Sequence, residues 1–223
     1  SAARVLDRLG ISLFEVPSAG CCGAVRFHLN KQEAGKDDMR TLIDAWWPHV
    51  EAGVEAIVVT ASGCGVQVRD YGHILADDTL YAEKAAKISS LSRDPSEVLA
   101  GEKAALLPLL AARPERRGKL AFHSPCTLQH GLQIRGSIEV LLQSAGYDLT
   151  PVADSHLCCG SAGTYSVLQP ELAGMLRANK LAALNAGGPA LAATANIGCL
   201  THLQAGSSLP VRHWIELIDE VLA

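Results

Sequence analysis

Apolar residues along this chain follow two alternating patterns, one with the period of a helix and one typical of short buried strands. Asp37–Ala52 and Glu171–Asn185 have helical spacing. Val54–Ala61, Lys119–Phe122 and Ala190–Asn196 are short apolar runs of the kind found in strands buried on both faces. Strands that alternate with helices predict an α/β fold, with parallel sheets built from right-handed βαβ units.

The same order of signals occurs twice. A helix ending in glycine leads to a strand, a Cys-Cys-Gly triplet, a longer helix, a second strand and a Gly-Cys pair. The copies are Ser1–Gly10, Ile11–Val16, Cys21-Cys22-Gly23, Asp37–Ala52, Val54–Ala61 and Gly63-Cys64, then Ser137–Ala145, Tyr147–Val152, Cys158-Cys159-Gly160, Glu171–Asn185, Ala190–Asn196 and Gly198-Cys199. The second cysteine of the pair precedes the last cysteine by 42 positions in one copy and 40 in the other. This agreement predicts a pseudo-two-fold repeat of two related Rossmann-like βαβ halves.

We place the halves at residues 1–112 and 119–223, with a polar linker over residues 113–118. The first half carries a helical insertion, predicted over Tyr81–Leu91 and Glu97–Leu110. Because the chain begins inside a helical pattern, we expect the first repeat to be truncated at its N-terminus.

Composition narrows the functional classes. Hydrophobic residues make up 48% of the chain and charged residues 19%, and the net charge is −4. This balance provides no basic patch for nucleic acid, so no nucleic-acid partner is expected. There is no secretion signal and no apolar run of membrane-spanning length. We therefore expect a cytoplasmic protein, in which the seven cysteines are more often metal ligands or catalytic thiols than disulfides.

The second half carries a full set of four candidate metal ligands, Cys126, Cys158, Cys159 and Cys199. Each follows a predicted strand, and ligands of parallel sheets gather at the carboxyl ends of the strands. Four thiolates suit a [4Fe–4S] cluster or tetrahedral zinc. Adjacent cysteines reach different irons of a cluster more easily than one zinc ion, and zinc knuckles of the C-x₂₋₄-C type are absent, so the cluster is favoured. A strained Cys158-Cys159 disulfide remains an alternative.

The first half is incomplete. It has Cys21, Cys22 and Cys64 as a second candidate site, which we interpret as degenerate or truncated. The alternatives are a cluster that forms only in a longer chain, a zinc ion, or an empty site. Cys126 precedes Gly146 by 20 positions and the first helix ends at Gly10, so its counterpart would lie about ten positions before Ser1. Cys64 by itself is equally well explained as a small buried hydrophobic residue.

Duplicated Cys-Cys-Gly triplets, each followed some 40 positions later by Gly-Cys, resemble the cysteine-rich CCG domain family. That domain occurs in heterodisulfide reductase B-type subunits, anaerobic glycerol-3-phosphate dehydrogenase C-type subunits and the iron–sulfur subunit of glycolate oxidase. Four stretches are most similar to the glycolate oxidase subunit: Ala19–Ala24, Asp44–Trp47, Thr60–Gly65 and His123–Cys126.

The resemblance implies an electron-transfer component rather than an enzyme that is catalytic alone. A separate flavoprotein would oxidise glycolate or a similar 2-hydroxy acid, and electrons would pass through iron–sulfur centres toward a membrane acceptor. It also implies an N-terminal ferredoxin-like region outside this chain, and peripheral association with the inner face of the cell membrane through the complex. Two other functions stay open: a zinc-stabilised module that docks the flavoprotein, and a disulfide-reducing enzyme with a substrate-binding cluster.

One departure from the family pattern bears on the chemistry. The fullest pattern has a fifth cysteine three positions after the last one, and those positions are Gln67 and His202 here. The missing fifth thiol argues against heterodisulfide chemistry and for a four-thiolate cluster. Gln67, His202 and His123 are candidates for outer hydrogen-bond donors to the site, and His202 is also an alternative ligand. Histidines that bond only to backbone are the simpler alternative.

Overall fold

The computed structural model describes residues 1–113 and 115–223, so position 114 of the predicted linker lies outside the described residues. The elements in chain order are α1 (Ala2–Asp7), α2 (Ala24–His28), α3 (Gln32–Glu51), β1 (Ile57–Val58), α4 (Ser62–Arg69), α5 (Tyr71–Ile74), α6 (Ala82–Leu91), β2 (Ser92–Arg93), α7 (Pro95–Gly101), α8 (Lys103–Ala111), β3 (Lys119–His123), a π-helical turn (Thr127–Gly131), α9 (Ser137–Ser144), β4 (Asp148–Leu149), α10 (Tyr165–Leu168), α11 (Pro170–Asn185), β5 (Leu191–Thr194), α12 (Ile197–Gln204), β6 (Val211–His213) and α13 (Trp214–Leu222).

Contacts cluster the chain into two units. The larger unit contains Ser1–Leu13, Thr60–Ser62 and Pro95–Ala223, and the smaller unit contains Phe14–Val59 and Gly63–Asp94. These units follow contacts rather than the sequence repeat. The repeat boundary between residues 112 and 119 therefore stays a prediction.

The larger unit is built on a parallel sheet with the strand order β4-β3-β5-β6. Its central strands are short and apolar: Leu120, Ala121, Ala192 and Ala193 are fully buried. Helix α13 packs on α1, α8 and α9, whereas α11 packs on β3 and α12. Small alanine side chains in the sheet let helices approach it closely, as expected for strands buried in an α/β fold.

The smaller unit pairs β1 with β2 in parallel. Its core forms where α3, α5 and α6 bury apolar side chains, among them Met39, Ile43, Tyr71 and Ile88. The predicted apolar stripe of α3 provides much of this core, because residues three and four positions apart lie on one face of a helix.

The fold class is confirmed: the structure is α/β with parallel sheets. The long helices also lie where the periodicity predicts them, although α3 begins at Gln32 rather than Asp37. The predicted strand Ile11–Val16 is wrong. Its residues pair with no neighbouring strand, and Phe14 is 53% exposed, so an apolar run alone was insufficient to make a strand there.

Two further strands were predicted too long and two were missed. Val54–Ala61 contains only β1, and Tyr147–Val152 contains only β4, because each pairs with its neighbour over two residues. Strands β2 and β6 were not predicted. Each is too short to show a period in the sequence, and pairing with a neighbour defines it.

Among residues 1–113 and 115–223, no helix is long and apolar enough to span a membrane.

The core of the larger unit can be tested on helix α9. Leu142 is fully buried there, whereas Val140 on the same helix is 42% exposed. We expect Leu142→Ala to lower the free energy of unfolding by about 2–5 kcal/mol, since it leaves a cavity. Val140→Ala should change it by no more than about 0.5 kcal/mol. Urea denaturation of both variants measures the difference, and equal losses would contradict this packing.

Candidate metal centre

Three neighbouring strands of the larger unit deliver cysteines to one edge of the sheet. Cys126 follows β3, the Cys158-Cys159 pair follows β4, and Cys199 lies in α12 directly after β5. Because β3 lies between β4 and β5 and all three strands are parallel, their carboxyl ends open onto the same edge. The topology therefore brings residues that are up to 73 positions apart in sequence, from 126 to 199, to one place.

The four thiol groups form one contiguous chain of contacts. Cys158 interacts with both Cys126 and Cys159, and Cys159 also interacts with Cys199. The interaction with Cys158 raises the pKa of Cys126, and the interaction with Cys126 lowers the pKa of Cys158. A proton held by one sulfur atom stabilises the thiolate form of its neighbour. The seven cysteines are free thiols, so the Cys158-Cys159 disulfide does not form in this structure.

Hydrogen-bond donors surround these sulfur atoms. The backbone amide of Gly160 donates to Sγ of Cys158 over 3.3 Å, and Nδ2 of Asn196 donates to Sγ of Cys199 over 3.5 Å. Donors of this kind stabilise thiolates, which are the forms that bind metals. The sulfur atoms are therefore prepared to carry negative charge.

Two contacts hold the cysteine-bearing loops in place. Nε2 of Gln129 donates to the carbonyl of Ser124 and to the carbonyl of Ser155, each over 3.1 Å, and so ties the loop before Cys126 to the loop before Cys158. Gly160 has a φ of +91°, and a Cβ atom there would lie 2.6 Å from the carbonyl oxygen of Ala173 in α11. Glycine is required at this position for both reasons.

His123 adds an imidazole to the cysteine cluster. It is the last residue of β3 and is 1% exposed, and its ligand atoms lie within 4.8 Å of the sulfur atoms of Cys159 and Cys199. The pKa of Cys199 is lowered first by Cys159, and His123 and Asn196 add to this effect. In the described residues neither ring nitrogen of His123 makes a hydrogen bond of ordinary geometry. A buried imidazole without a hydrogen-bond partner costs free energy, so a group bound among these thiols would supply the missing partner.

The donor set fits a thiolate-bound metal or cluster. Soft thiolate ligands select zinc and iron–sulfur clusters, and imidazole is compatible with both zinc and iron. Four sulfur atoms, amide donors directed at two of them, and a buried imidazole are the components that such a centre needs.

The smaller unit brings the other three cysteines together. Cys22 and Cys64 interact, which lowers the pKa of Cys64 and raises that of Cys22, and Cys21 lies close enough to act on Cys64. Cys22 is buried and Cys21 is exposed. The larger unit contains four of the seven cysteines, so the set in the smaller unit has three thiols.

The surroundings of this second set resemble those of the first. Gly23, after the cysteine pair, has a φ of +79°, and a Cβ atom there would overlap the carbonyl oxygen of Gly35. The fully buried Tyr71 donates its hydroxyl to the carbonyl of Cys22 over 2.9 Å. Gln67 is 3% exposed, and its Nε2 makes no hydrogen bond within the residues described. It lies one helical turn after Cys64.

His202 has an ordinary backbone partner: its Nε2 lies 3.3 Å from the carbonyl oxygen of Ala173. Sequence reasoning missed three residues of the larger site, namely Gln129, Asn196 and Lys180. Lys180 had a visible signal, since it is a charged residue on the apolar face of the helix predicted over Glu171–Asn185. Gln129 and Asn196 have no signal in the sequence, because their roles depend on loops that meet only in the folded chain.

The fold and the site together define an α/β protein with two groups of neighbouring cysteine thiols, one of them at the carboxyl edge of the sheet in the larger unit. The family model described as "CCG: Cysteine-rich domain" matches residues 1–69 and 120–204. The chain belongs to this cysteine-rich domain family.

Relatives within the curated proteins carry related names. The "Glycolate oxidase iron-sulfur subunit" of Escherichia coli (strain K12) is 54% identical over 222 residues, which is 100% of this chain and 53% of that protein. The "Probable glycolate oxidase iron-sulfur subunit" of Bacillus subtilis (strain 168) is 29% identical over 91% of this chain and 45% of that protein. A "Lactate utilization protein A" of Shouchella clausii is 24% identical over 96% of this chain and 89% of that protein. The chain spans about half the length of the first two.

The requirement for glycine beside the cysteine pair can be tested with two glycines of similar φ. Gly160 faces the Ala173 carbonyl, whereas Gly136, with a φ of +78°, would have nothing within 4 Å of an added Cβ atom. We expect Gly136→Ala to cost about 1–2 kcal/mol, the penalty of left-handed backbone. Gly160→Ala should cost a further 1–3 kcal/mol or so from overpacking. Denaturant unfolding measures both, and equal costs would contradict the close approach of α11.

Proposed function

We propose that this chain is the electron-transfer part of a hydroxy-acid oxidase complex and that it holds an iron–sulfur cluster of the [4Fe–4S] type. The ligands are Cys126, Cys158, Cys159 and Cys199. The observation that carries the proposal is the contiguous contact of these four thiols at the carboxyl edge of β3, β4 and β5.

When bound, such a cluster supplies one-electron oxidation and reduction without a change of ligands. The protein's own part is to hold the sulfur atoms, to exclude water and to place hydrogen-bond donors against them. Cys159 and Cys199 are 1% and 4% exposed, and the amide of Gly160 and the side chain of Asn196 donate to sulfur. Burial and these donors set the reduction potential.

The candidate outer residues take different parts in this proposal. His123 is a donor to the centre, because it is buried beside Cys159 and Cys199 and its ring nitrogens make no other hydrogen bond within the described residues. His202 ties α12 to α11 by its contact with the Ala173 carbonyl. Gln67 is the equivalent donor of the set formed by Cys21, Cys22 and Cys64. That set offers three thiols in this chain, and we propose it as a degenerate or truncated site.

The names of two relatives, which are those of an iron-sulfur subunit of glycolate oxidase, support a partner subunit. We propose that a flavoprotein dehydrogenase oxidises glycolate or a related 2-hydroxy acid and that this chain accepts its electrons and passes them toward a membrane acceptor. The proposed setting is the cytoplasmic side of the cell membrane, with peripheral attachment through the complex. A ferredoxin-like region preceding this chain would account for part of the length that the first two relatives have in addition.

A zinc-stabilised docking module is the second candidate function. The observation that favours it is the spacing of His123, Cys159 and Cys199, whose ligand atoms lie within 4.8 Å of one another and so also suit a single tetrahedral ion. Metal analysis separates the two functions. The third candidate, a disulfide-reducing enzyme, predicts turnover of a disulfide substrate by this chain alone.

The ligand assignment is tested with protein prepared without oxygen. We expect a brown sample with iron and acid-labile sulfide, whose visible absorption decreases on reduction. Cys159→Ser should lose this absorption together with most of the iron, because it removes a buried ligand from the middle of the thiol chain. Iron, sulfide and zinc analyses with visible spectroscopy provide the measurement.

Cys21→Ser is the matched control, since Cys21 is exposed and belongs to the three-thiol set. It should keep the absorption of the four-thiol centre. A colourless wild type with stoichiometric zinc would favour the docking module, and an unchanged spectrum of Cys159→Ser would overturn the ligand set.

The role of His123 predicts a change in potential. We expect His123→Leu to retain the cluster and to lower its midpoint potential, because a hydrogen-bond donor near the sulfur atoms stabilises the reduced, more negative state. His156→Leu is the control, since His156 is exposed and lies two positions before Cys158. Redox titration followed by absorption or electron paramagnetic resonance measures both variants. If their midpoint potentials are identical, His123 does not donate to the centre.

A further inference from the structure

A buried lysine lies behind the cysteine pair. Lys180, on α11, is 3% exposed, and its ammonium donates one hydrogen bond, over 2.8 Å, to the backbone carbonyl of Asp154. That carbonyl belongs to the loop between β4 and the cysteine pair. Asp154 has a φ of +48°, a left-handed conformation uncommon for a residue other than glycine, so the hydrogen bond also holds an unfavourable turn.

The ammonium of Lys180 has no carboxylate within ion-pair distance in the described part of the chain. An ammonium has three donors, and a single neutral carbonyl compensates a buried cation poorly. Burial lowers the pKa of Lys180, and Cys159, Asp154 and Cys158 act in the opposite direction. The charge of Lys180 therefore interacts with both thiols of the cysteine pair.

The position of Lys180 on α11 explains why it faces the site. Ala173 and Leu176 of the same helix contact the loop at Gly160, where a Cβ atom would lie 2.6 Å from the Ala173 carbonyl oxygen and 3.1 Å from Cβ of Leu176. Lys180 follows these residues by seven and four positions, which places all three on one helical face. This face of α11 therefore forms the wall behind Cys158 and Cys159.

We propose that Lys180 is the charge-compensating residue of the four-thiol centre, where its buried ammonium offsets the negative charge of the thiolate-bound cluster and raises its reduction potential. This inference rests on the proposed function. A cluster with four thiolate ligands is anionic in both oxidation states, and its reduced state carries one more negative charge. A fixed cation nearby stabilises the reduced state more than the oxidised one.

A purely structural role makes a different prediction. If Lys180 served only to hold the Asp154 carbonyl, any side chain that donates a hydrogen bond there would preserve the centre. If its charge matters, a neutral donor fails and another cation succeeds. Three variants separate these roles. Lys180→Gln keeps a hydrogen-bond donor but not the charge, Lys180→Met removes both, and Lys180→Arg keeps both.

The experiment is a redox titration of the anaerobically prepared chain, preceded by iron and sulfide analysis. We expect Lys180→Gln and Lys180→Met to shift the midpoint potential to more negative values, and Lys180→Arg to stay near the wild type. Lys103→Met is the control for the loss of one positive charge, since Lys103 is exposed on α8. Its potential should be unchanged.

The outcomes are distinct. A wild type that holds iron and sulfide, with a Lys180→Gln potential equal to that of the wild type, overturns the role of Lys180 and leaves the proposed function intact. A wild type without iron and sulfide overturns both. Should Lys180→Met fail to fold, the comparison of Lys180→Gln with Lys180→Arg still decides between charge and hydrogen bonding.

Discussion

The arrangement of this protein depends on the convergence of parallel strand ends at one edge of a sheet. The strands β4, β3 and β5 are neighbours in the sheet and run in parallel, so their carboxyl ends lie at the same edge. The loops after these strands therefore meet there. Each of those loops, or the helix that follows it, carries at least one cysteine. The backbone pairing of a few alanine- and leucine-rich residues in β3 and β5 therefore determines whether four sulfur atoms meet at all. Side chains such as Gln129 then adjust the loops, but they act on an arrangement that the sheet has already made.

The polar groups at this edge are buried. In residues 1–113 and 115–223, His123 makes no hydrogen bond of ordinary geometry and Lys180 has no carboxylate counterion. A buried imidazole without a partner and a buried ammonium without a counterion both cost free energy. The anionic metal–thiolate centre proposed above would offset both costs, because it would accept a hydrogen bond from the imidazole and compensate the charge of the ammonium.

The two cysteine sets share a backbone feature beside the cysteine pair. Gly23 and Gly160 both follow such a pair, both have positive φ, and both face a carbonyl oxygen of the next long helix at a distance that excludes a side chain. The side chains around the two sets differ: the set in the smaller unit has three thiols, one of them exposed, and a buried Gln67 in the position that corresponds to His202. The packing constraint on the glycine is therefore the same in two different surroundings, because it arises from the neighbouring helix.

By itself the sequence determined the fold class, the long helices and the residues that make up the two thiol sets, because these depend on periodicity and on motifs local to the chain. It did not determine strand pairing. Ile11–Val16 has the composition of a strand but no partner, whereas Ser92–Arg93 and Val211–His213 are strands only because a neighbour pairs with them. The tertiary structure alone decided that His123 faces the thiols, that His202 bonds to backbone, and that Lys180 is buried behind the cysteine pair. Each of these depends on which loops and helices meet across long sequence separations, and no local pattern encodes that.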